Sequence, residues 1–162
     1  MSKEEFVAAA TAAAQTSSAT SGFPPGVTVA QAALESGWGN SELARAANNY
    51  FGIKARPGGK AIELVTTEYV AGAAVRVTAR FAQYASMLAC FADRDRMIAS
   101  LPAYGEARVA AEDPETFTHA LAHHWATDPS YAEKLLAVYH ANGFDKLDHQ
   151  SAVAGSQSPV SS

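Results

Sequence analysis

The sequence predicts an α+β domain that is mainly α-helical, with one β-hairpin set among the helices. Three observations carry this expectation. Alanine-rich stretches with apolar residues at helical spacing recur before and after the middle of the chain. Between Ala61 and Tyr84 the pattern changes to strand formers, with Ile62, Leu64, Val65, Val70, Val75 and Val77 among several threonines. Ala71-Gly72-Ala73 interrupts that run and supplies a hairpin turn. At 162 residues the chain is long enough to bury one genuine core.

The elements follow in order. Ser2 with Glu5 makes a capping box that opens a helix through about Ala14. The polar stretch Gln15 to Gly22, leading into Pro24-Pro25, predicts a loop. A second helix is expected from about Thr28 to Gly37, the residue type favoured just past a helix end. Asn40 or Ser41 can cap a short helix to about Ala47, and Asn48-Asn49 marks a turn. On the second strand Val75, Val77, Ala79 and Phe81 alternate with Arg76, Thr78 and Arg80, giving one apolar and one polar face. Met87, Leu88, Phe91, Ile98 and Leu101 restore helical spacing, which Pro102 helps to stop. Asp113-Pro114 opens a helix to about Trp125, and Asp128-Pro129 opens the last, ending at Asn142-Gly143. From Asp148 the Ser, Ala, Gln and Gly composition predicts a disordered tail. The organisation is therefore one domain over 1–147 and a tail over 148–162.

Composition removes several function classes. A formal net charge of −4 argues against a nucleic-acid binder, and against simple electrostatic attraction to an anionic polymer. The single Cys90 has no internal partner for a disulfide. His119 and His123 have the i, i+4 spacing of a helix-borne metal pair, with His124 beside them. Ala120-Leu121-Ala122 stand between them, without the glutamate of the zinc-protease arrangement, so they read as surface histidines and no metal is expected. No apolar run approaches the roughly 20 residues of a spanning helix, so no membrane insertion is expected. Met1-Ser2-Lys3-Glu4-Glu5 is acidic where a secretory leader is basic, and no leader is expected.

One stretch stands out for chemistry, Val29-Ala30-Gln31-Ala32-Ala33-Leu34-Glu35-Ser36-Gly37-Trp38-Gly39. It is an apolar helix that carries a single carboxylate to its end and then breaks. Glu35 is the only ionisable side chain between Glu5 and Glu42. A carboxyl among apolar and aromatic neighbours is poorly solvated, which raises its pKa and suits it to protonate a leaving-group oxygen. The plainer alternative is an exposed glutamate near a helix end.

The run Ala32-Ala33-Leu34-Glu35-Ser36-Gly37-Trp38-Gly39 resembles the catalytic-acid signature of glycoside hydrolase family 73, the peptidoglycan-cleaving β-N-acetylglucosaminidases of the flagellar rod-cap hydrolase-domain type. The similarity continues through Ala47-Asn48-Asn49-Tyr50-Phe51-Gly52-Ile53-Lys54, Thr66-Thr67-Glu68-Tyr69, Phe81 and Tyr84, and closes with Ala126-Thr127-Asp128-Pro129-Ser130-Tyr131-Ala132-Glu133-Lys134-Leu135. The resemblance implies a lysozyme-like helical body with a small β-hairpin lobe flanking a cleft. It implies hydrolysis of the β-1,4 bond between N-acetylglucosamine and N-acetylmuramic acid, with Glu35 as general acid and Glu68 as second carboxylate. Of the other carboxylates, Glu63 has the opposite strand parity from Glu68, and Asp95 stands beside Asp93. Asp93 matches the family's helix aspartate and is expected to act as structural or catalytic support. The chain departs from the family there, with Cys90 and Arg94 where members often carry a Ser and a His or Tyr.

The same resemblance nominates Tyr131 to orient the acetamido group or to hydrogen-bond near the acid. Trp125 and Tyr50 are candidates to meet the sugar, Trp38 to bind it or to support Glu35, Asn49 to pair with an N-acetyl group, and Tyr84 to line the site. Core packing is the competing reading for each aromatic ring, a turn-forming role for Asn49, and an ion pair with Arg76 or Arg80 for Glu68. No cofactor is implied. The partner would be peptidoglycan glycan strands, bound by a monomer acting on the cell wall in the periplasm or outside the cell, by an export route the residues do not reveal. The competing activities on the same fold are a lytic transglycosylase and a muramidase. A peptidoglycan-binding module without turnover is the alternative from another class.

Overall fold

The structure, a computed structural model, describes residues 1–149. The expected tail therefore lies, from 150 onward, outside the described residues. Helix α1 (Lys3–Ser21) opens on the expected capping box, with Ser2 Oγ accepting from Glu5 N and Glu5 Oε1 accepting from Ser2 N. It does not give way to a loop after Ala14. The hydroxyls of Ser17 and Ser21 donate to Asp95 Oδ2 at 2.6 and 2.8 Å, and Ser18 donates to the Phe23 carbonyl. A stretch that looks like a linker locally is held helical by a partner far along the chain.

Helix α2 (Pro25–Ser36) begins earlier than expected, with Pro25 at its first position, where a missing N–H costs nothing. Pro24 offers no side-chain cap. Asp148 supplies one instead: its Oδ1 accepts from Gly26 N at 2.7 Å while its Oδ2 accepts from the Tyr139 hydroxyl at 2.6 Å. A Cβ on Gly26 would lie 2.2 Å from the Phe144 carbonyl oxygen and 2.8 Å from Asp148 Oδ2, so only glycine admits this closure. Asp148 is accordingly buried and part of the fold, not the first residue of the tail.

Helix α3 (Glu42–Ala47) is capped by Ser41, and Asn48 ends it in the left-handed conformation at φ 51°. Strands β1 (Ala61–Val70) and β2 (Ala73–Ala82) pair antiparallel around Ala71-Gly72. Ile62, Leu64, Thr66 and Glu68 share one face with Val75, Val77, Ala79 and Phe81, the less exposed face of the hairpin. The lobe joins the body at its base, where Ala55 N donates to the Arg80 carbonyl and Ala82 N to the Ile53 carbonyl. Its tip is open, with Tyr69 78% exposed.

Helix α4 (Met87–Ser100) follows, then a 3-10 turn over Pro102–Tyr104 and the short α5 (Gly105–Val109), which the sequence did not announce. Asp113 caps α6 (Pro114–Trp125), and α7 (Tyr131–Ala141) completes the body. Helix α2 lies in the middle, packed against both α1 and α7. Its Val27 and Val29 are fully buried, which stabilises the fold by roughly 1.5–3 kcal/mol each. The surrounding core is aromatic, with Phe23 stacked on Phe117 and Phe51 against Phe91. Among the described residues no helix is long and apolar enough to cross a membrane.

Candidate active site

Glu35 sits in the last turn of α2, where three consecutive left-handed residues turn the chain away: Gly37 at φ 56°, Trp38 at 59° and Gly39 at 82°. At Gly39 a Cβ would fall 2.9 Å from the Phe6 ring, so the positive φ and the close approach both require glycine. Trp38 tolerates its unfavourable backbone because its ring is pinned between Phe6 and Phe144, with the Lys3 ammonium 4.3 Å from its centre. The indole therefore holds the helix end in place.

Glu35 keeps contact with solvent on one side while protein crowds it on the other. That desolvation raises its pKa above the ordinary carboxylate range, against a smaller lowering by the Tyr131 hydroxyl. Tyr131 donates to Glu35 Oε1 at 2.5 Å. Burial, with Glu35 beside it, pushes the Tyr131 hydroxyl well above its usual range, so it stays a donor. Behind Tyr131 lie two residues that the sequence reading did not assign to the site. Gln31 Nε2 donates to the Tyr131 hydroxyl at 3.2 Å, and Arg94 Nε donates to Gln31 Oε1 at 3.0 Å. Arg94 is fully buried and bonded to Asp95 Oδ1 at 2.8 Å. Gln31 had one visible signal: a long polar side chain one helical turn before Glu35 in an otherwise apolar run.

Glu68 lies on the less exposed hairpin face near its open end. Arg80 stands opposite Glu63, and Arg76 opposite Thr67, both on the other face. Glu68 instead meets Lys54 Nζ at 3.4 Å, with both side chains about half exposed. Such a pair contributes little, on the order of 0–1 kcal/mol, so Glu68 is readily released to another partner.

Lys54 also borders a groove of about 630 Å³ whose walls include Phe51, Arg56, Met97, Tyr104 and Trp125. Glu35 is not among the residues lining it, but the two are linked through Phe51, whose ring lies 5.6 Å from the Arg94 guanidinium. Trp125 is half-buried, edge-on to Phe51, and presents part of its indole to this groove. Asp93 is buried at its side and saturated. It accepts from Tyr84 at 2.6 Å, from Arg56 at 3.2 Å and from Arg96 at 3.2 Å. Burial works to raise its pKa, but the hydrogen bonds from Tyr84 and Arg56 outweigh this and hold it below the usual range. Asp93 is thus held as an anion by its neighbours, with the Tyr84 hydroxyl donating to it.

Two nominated residues are elsewhere. Tyr50 is buried against Phe6 and Phe91, not near the groove, and its backbone N–H points to Cys90 Sγ. Asn49 is buried with its amide N–H groups on the Ile53 and Ala82 carbonyls and its oxygen accepting from Phe51 and Ile53. Every hydrogen-bonding position of Asn49 is filled by backbone, leaving none for an acetamido group. The Cys90 thiol is buried and pushed up to about 12, as befits a packed residue. His119 and His123 border a second groove with Asp128 and Glu133, and among the described residues no group of three or more ligating side chains could hold a metal ion.

The arrangement has counterparts. The family model for mannosyl-glycoprotein endo-β-N-acetylglucosaminidase matches residues 11–144. The peptidoglycan hydrolase FlgJ of Salmonella typhimurium is 36% identical over 141 residues, covering 83% of this chain and 45% of that protein. A probable N-acetylmuramidase of Lactococcus lactis subsp. cremoris is 34% identical over 154 residues, 89% of this chain and 35% of that protein. The chain thus spans less than half the length of these relatives. In fold it matches the catalytic domain of the autolysin Auto from Listeria monocytogenes with a TM-score of 0.79 at 30% identity, covering 90% of this chain and 86% of that one. The α+β architecture is that lysozyme-like body with a hairpin lobe, and the chain belongs to the glucosaminidase family, glycoside hydrolase family 73.

Proposed function

We propose that this chain hydrolyses peptidoglycan, cutting the β-1,4 bond between N-acetylglucosamine and N-acetylmuramic acid. The observation that carries the proposal is Glu35: a carboxyl with raised pKa, open to solvent on one side and held by Tyr131 on the other, at the end of a buried helix. A carboxyl whose pKa is raised holds its proton to higher pH and can give it to the glycosidic oxygen as the bond breaks. The developing oxocarbenium charge then needs an anion or a nucleophile on the sugar's other side. Glu68, loosely paired to Lys54, is the group for that role once the hairpin meets the glycan. It either takes a proton from the attacking water or supports attack by the substrate's own acetamido oxygen. Trp125 at the groove gives an apolar face that suits a pyranose ring.

The relative named as a probable N-acetylmuramidase supports a second reading, in which the same carboxyls cut after N-acetylmuramic acid. Digestion of purified peptidoglycan, borohydride reduction and mass spectrometry separate the two. The expected products carry reduced N-acetylglucosamine ends, disappear with Glu35→Gln, and fall by about 10²–10⁴-fold with Glu68→Gln, the range general acid–base groups contribute. Reduced muramic ends would establish the muramidase, and anhydro-muramyl ends a transglycosylase. A folded wild type that binds the polymer without cutting it would leave a binding module.

A further inference from the structure

Arg94 is fully buried, with the Asp95 carboxylate as its counter-charge. Its Nη1 donates to Asp95 Oδ1 at 2.8 Å and to Thr28 Oγ1 at 2.9 Å, and its Nε donates to Gln31 Oε1 at 3.0 Å. Asp95 is itself held by Ser17 and Ser21 from α1. Nη2 has no hydrogen-bond partner among the described residues, and the guanidinium lies 5.6 and 6.0 Å from the centres of Phe51 and Phe117. Burying a charge is costly, so a cation this deep implies that its orientation matters.

The consequence follows from who can donate. Arginine has no acceptor, so the Gln31 oxygen must face Arg94 and the Gln31 NH₂ must face Tyr131. The amide has only one orientation that satisfies both neighbours. Tyr131, accepting from Gln31, has its single proton left for Glu35 Oε1. Oε1 is then an acceptor in either protonation state of Glu35.

We propose that Arg94 is a positioning residue for Glu35: through Gln31 and Tyr131 it fixes Oε1 as an acceptor and leaves Oε2 to carry the transferable proton. Without that relay the Tyr131 hydroxyl can rotate and accept the Glu35 proton, directing it inward and away from a glycosidic oxygen. The relay rests on the reading of Glu35 as the acid, and it lies where the chain departs from the family pattern, at Arg94. The titratable groups around it are Glu35, Tyr131, Tyr104, Cys90, Asp93 and Asp95. Burial holds Tyr131, Tyr104 and Cys90 protonated, so they add no charge change near neutrality.

The test is Gln31→Glu, alone and with Tyr131→Phe, read by carbon-13 titration of the Glu35 carboxyl and by the pH profile of kcat/KM. The introduced carboxylate keeps the partner of Arg94 but can only accept, so it takes the Tyr131 proton from Glu35. The Glu35 midpoint and the alkaline limb of activity should both move up by about one pH unit, a tenfold change in the proton equilibrium. We expect kcat to fall at least about tenfold with KM changed less than threefold, since the lost contact acts on proton transfer. In the Tyr131→Phe background the same substitution should shift nothing further. An unchanged midpoint overturns the relay, and so does an equal shift with and without Tyr131, which would mark a direct charge effect. If Gln31→Glu does not fold, Arg94→Lys keeps the charge but loses the fixed Nε–H, and the midpoint must still rise. The titration needs no turnover, so it tests the hydrogen-bond order apart from the acid assignment, which a Glu35→Gln enzyme that retained activity would overturn.

Discussion

A carboxylate at the C-terminal end of a helix meets the negative pole of the helix dipole, and Glu35 occupies that place in α2 with no basic residue in the last turn. The dipole acts in the same sense as the desolvation that raises its pKa. A folded-state pKa raised above the unfolded value of 4.5 means that the native state binds the proton more tightly. Stability from this group is full below the unfolded pKa and declines as pH rises through the folded one. Glu35→Gln, which carries no charge, should therefore melt at the same temperature as wild type near pH 4. By pH 7–8 it should melt about 1–2 °C higher, a small gain because the carboxyl keeps solvent contact. Calorimetry across that range checks it, and a variant that is less stable at neutral pH would show that Glu35 is not strained. At this scale the sequence made Glu35 and Tyr131 legible through their local motifs. It concealed Arg94 and Gln31, because a relay across α2, α4 and α7 is a property of packing and not of spacing. For Asn49 and Tyr50 the packing alternatives hold, and for Trp38 the support of Glu35, because each side chain is taken up by backbone or rings that only the fold brings near.

Among the elements, the hairpin was the most readable and the most weakly anchored. Its alternation fixed the two faces correctly, so that Val77, Ala79 and Phe81 turn inward while Arg76 and Arg80 turn out. The turn itself is strained, since Ala71 adopts φ 51°, a conformation that favours Gly, Asn or Asp. Ala71→Asn should relieve this by about 0.5–1 kcal/mol and slow amide exchange in the hairpin about two- to fivefold. The melting temperature should move by less than about 2 °C, because the tip makes little contact with the body. Exchange that slows equally in α4 would show instead that the lobe and body open together. Helix α1 illustrates the opposite error. Ser17, Ser18 and Ser21 look like loop residues in isolation, and they extend the helix because Asp95 and the Phe23 carbonyl receive their hydroxyls.

Over the whole molecule the net charge of −4 conceals a division. Residues 54–60, leading into the hairpin, carry Lys54, Arg56 and Lys60, while the strands balance Arg76 and Arg80 against Glu63 and Glu68, so the approach to the lobe is basic on an acidic body. The two ends of the described chain are also joined more closely than composition suggests, through Asp148. Asp148→Ala removes the acceptor for Gly26 and leaves the Tyr139 hydroxyl without its partner, at a cost of about 2–3 kcal/mol. The expected fall in melting temperature is about 5–10 °C. Asp148→Asn, which retains an acceptor oxygen, should lose clearly less, and equal losses would mean that charge and not capping is what matters.

That clasp also sets an order of assembly. Translation releases the helix bearing Glu35 long before Asp148, which stands 122 residues beyond Gly26, has been made. Arg94 and then Tyr131 arrive in between, each closing one link to the same helix. The surroundings of Glu35 are therefore completed only by residues far along the chain from it. A nascent chain halted short of Asp148 holds the signature residues without the architecture that gives them their chemistry.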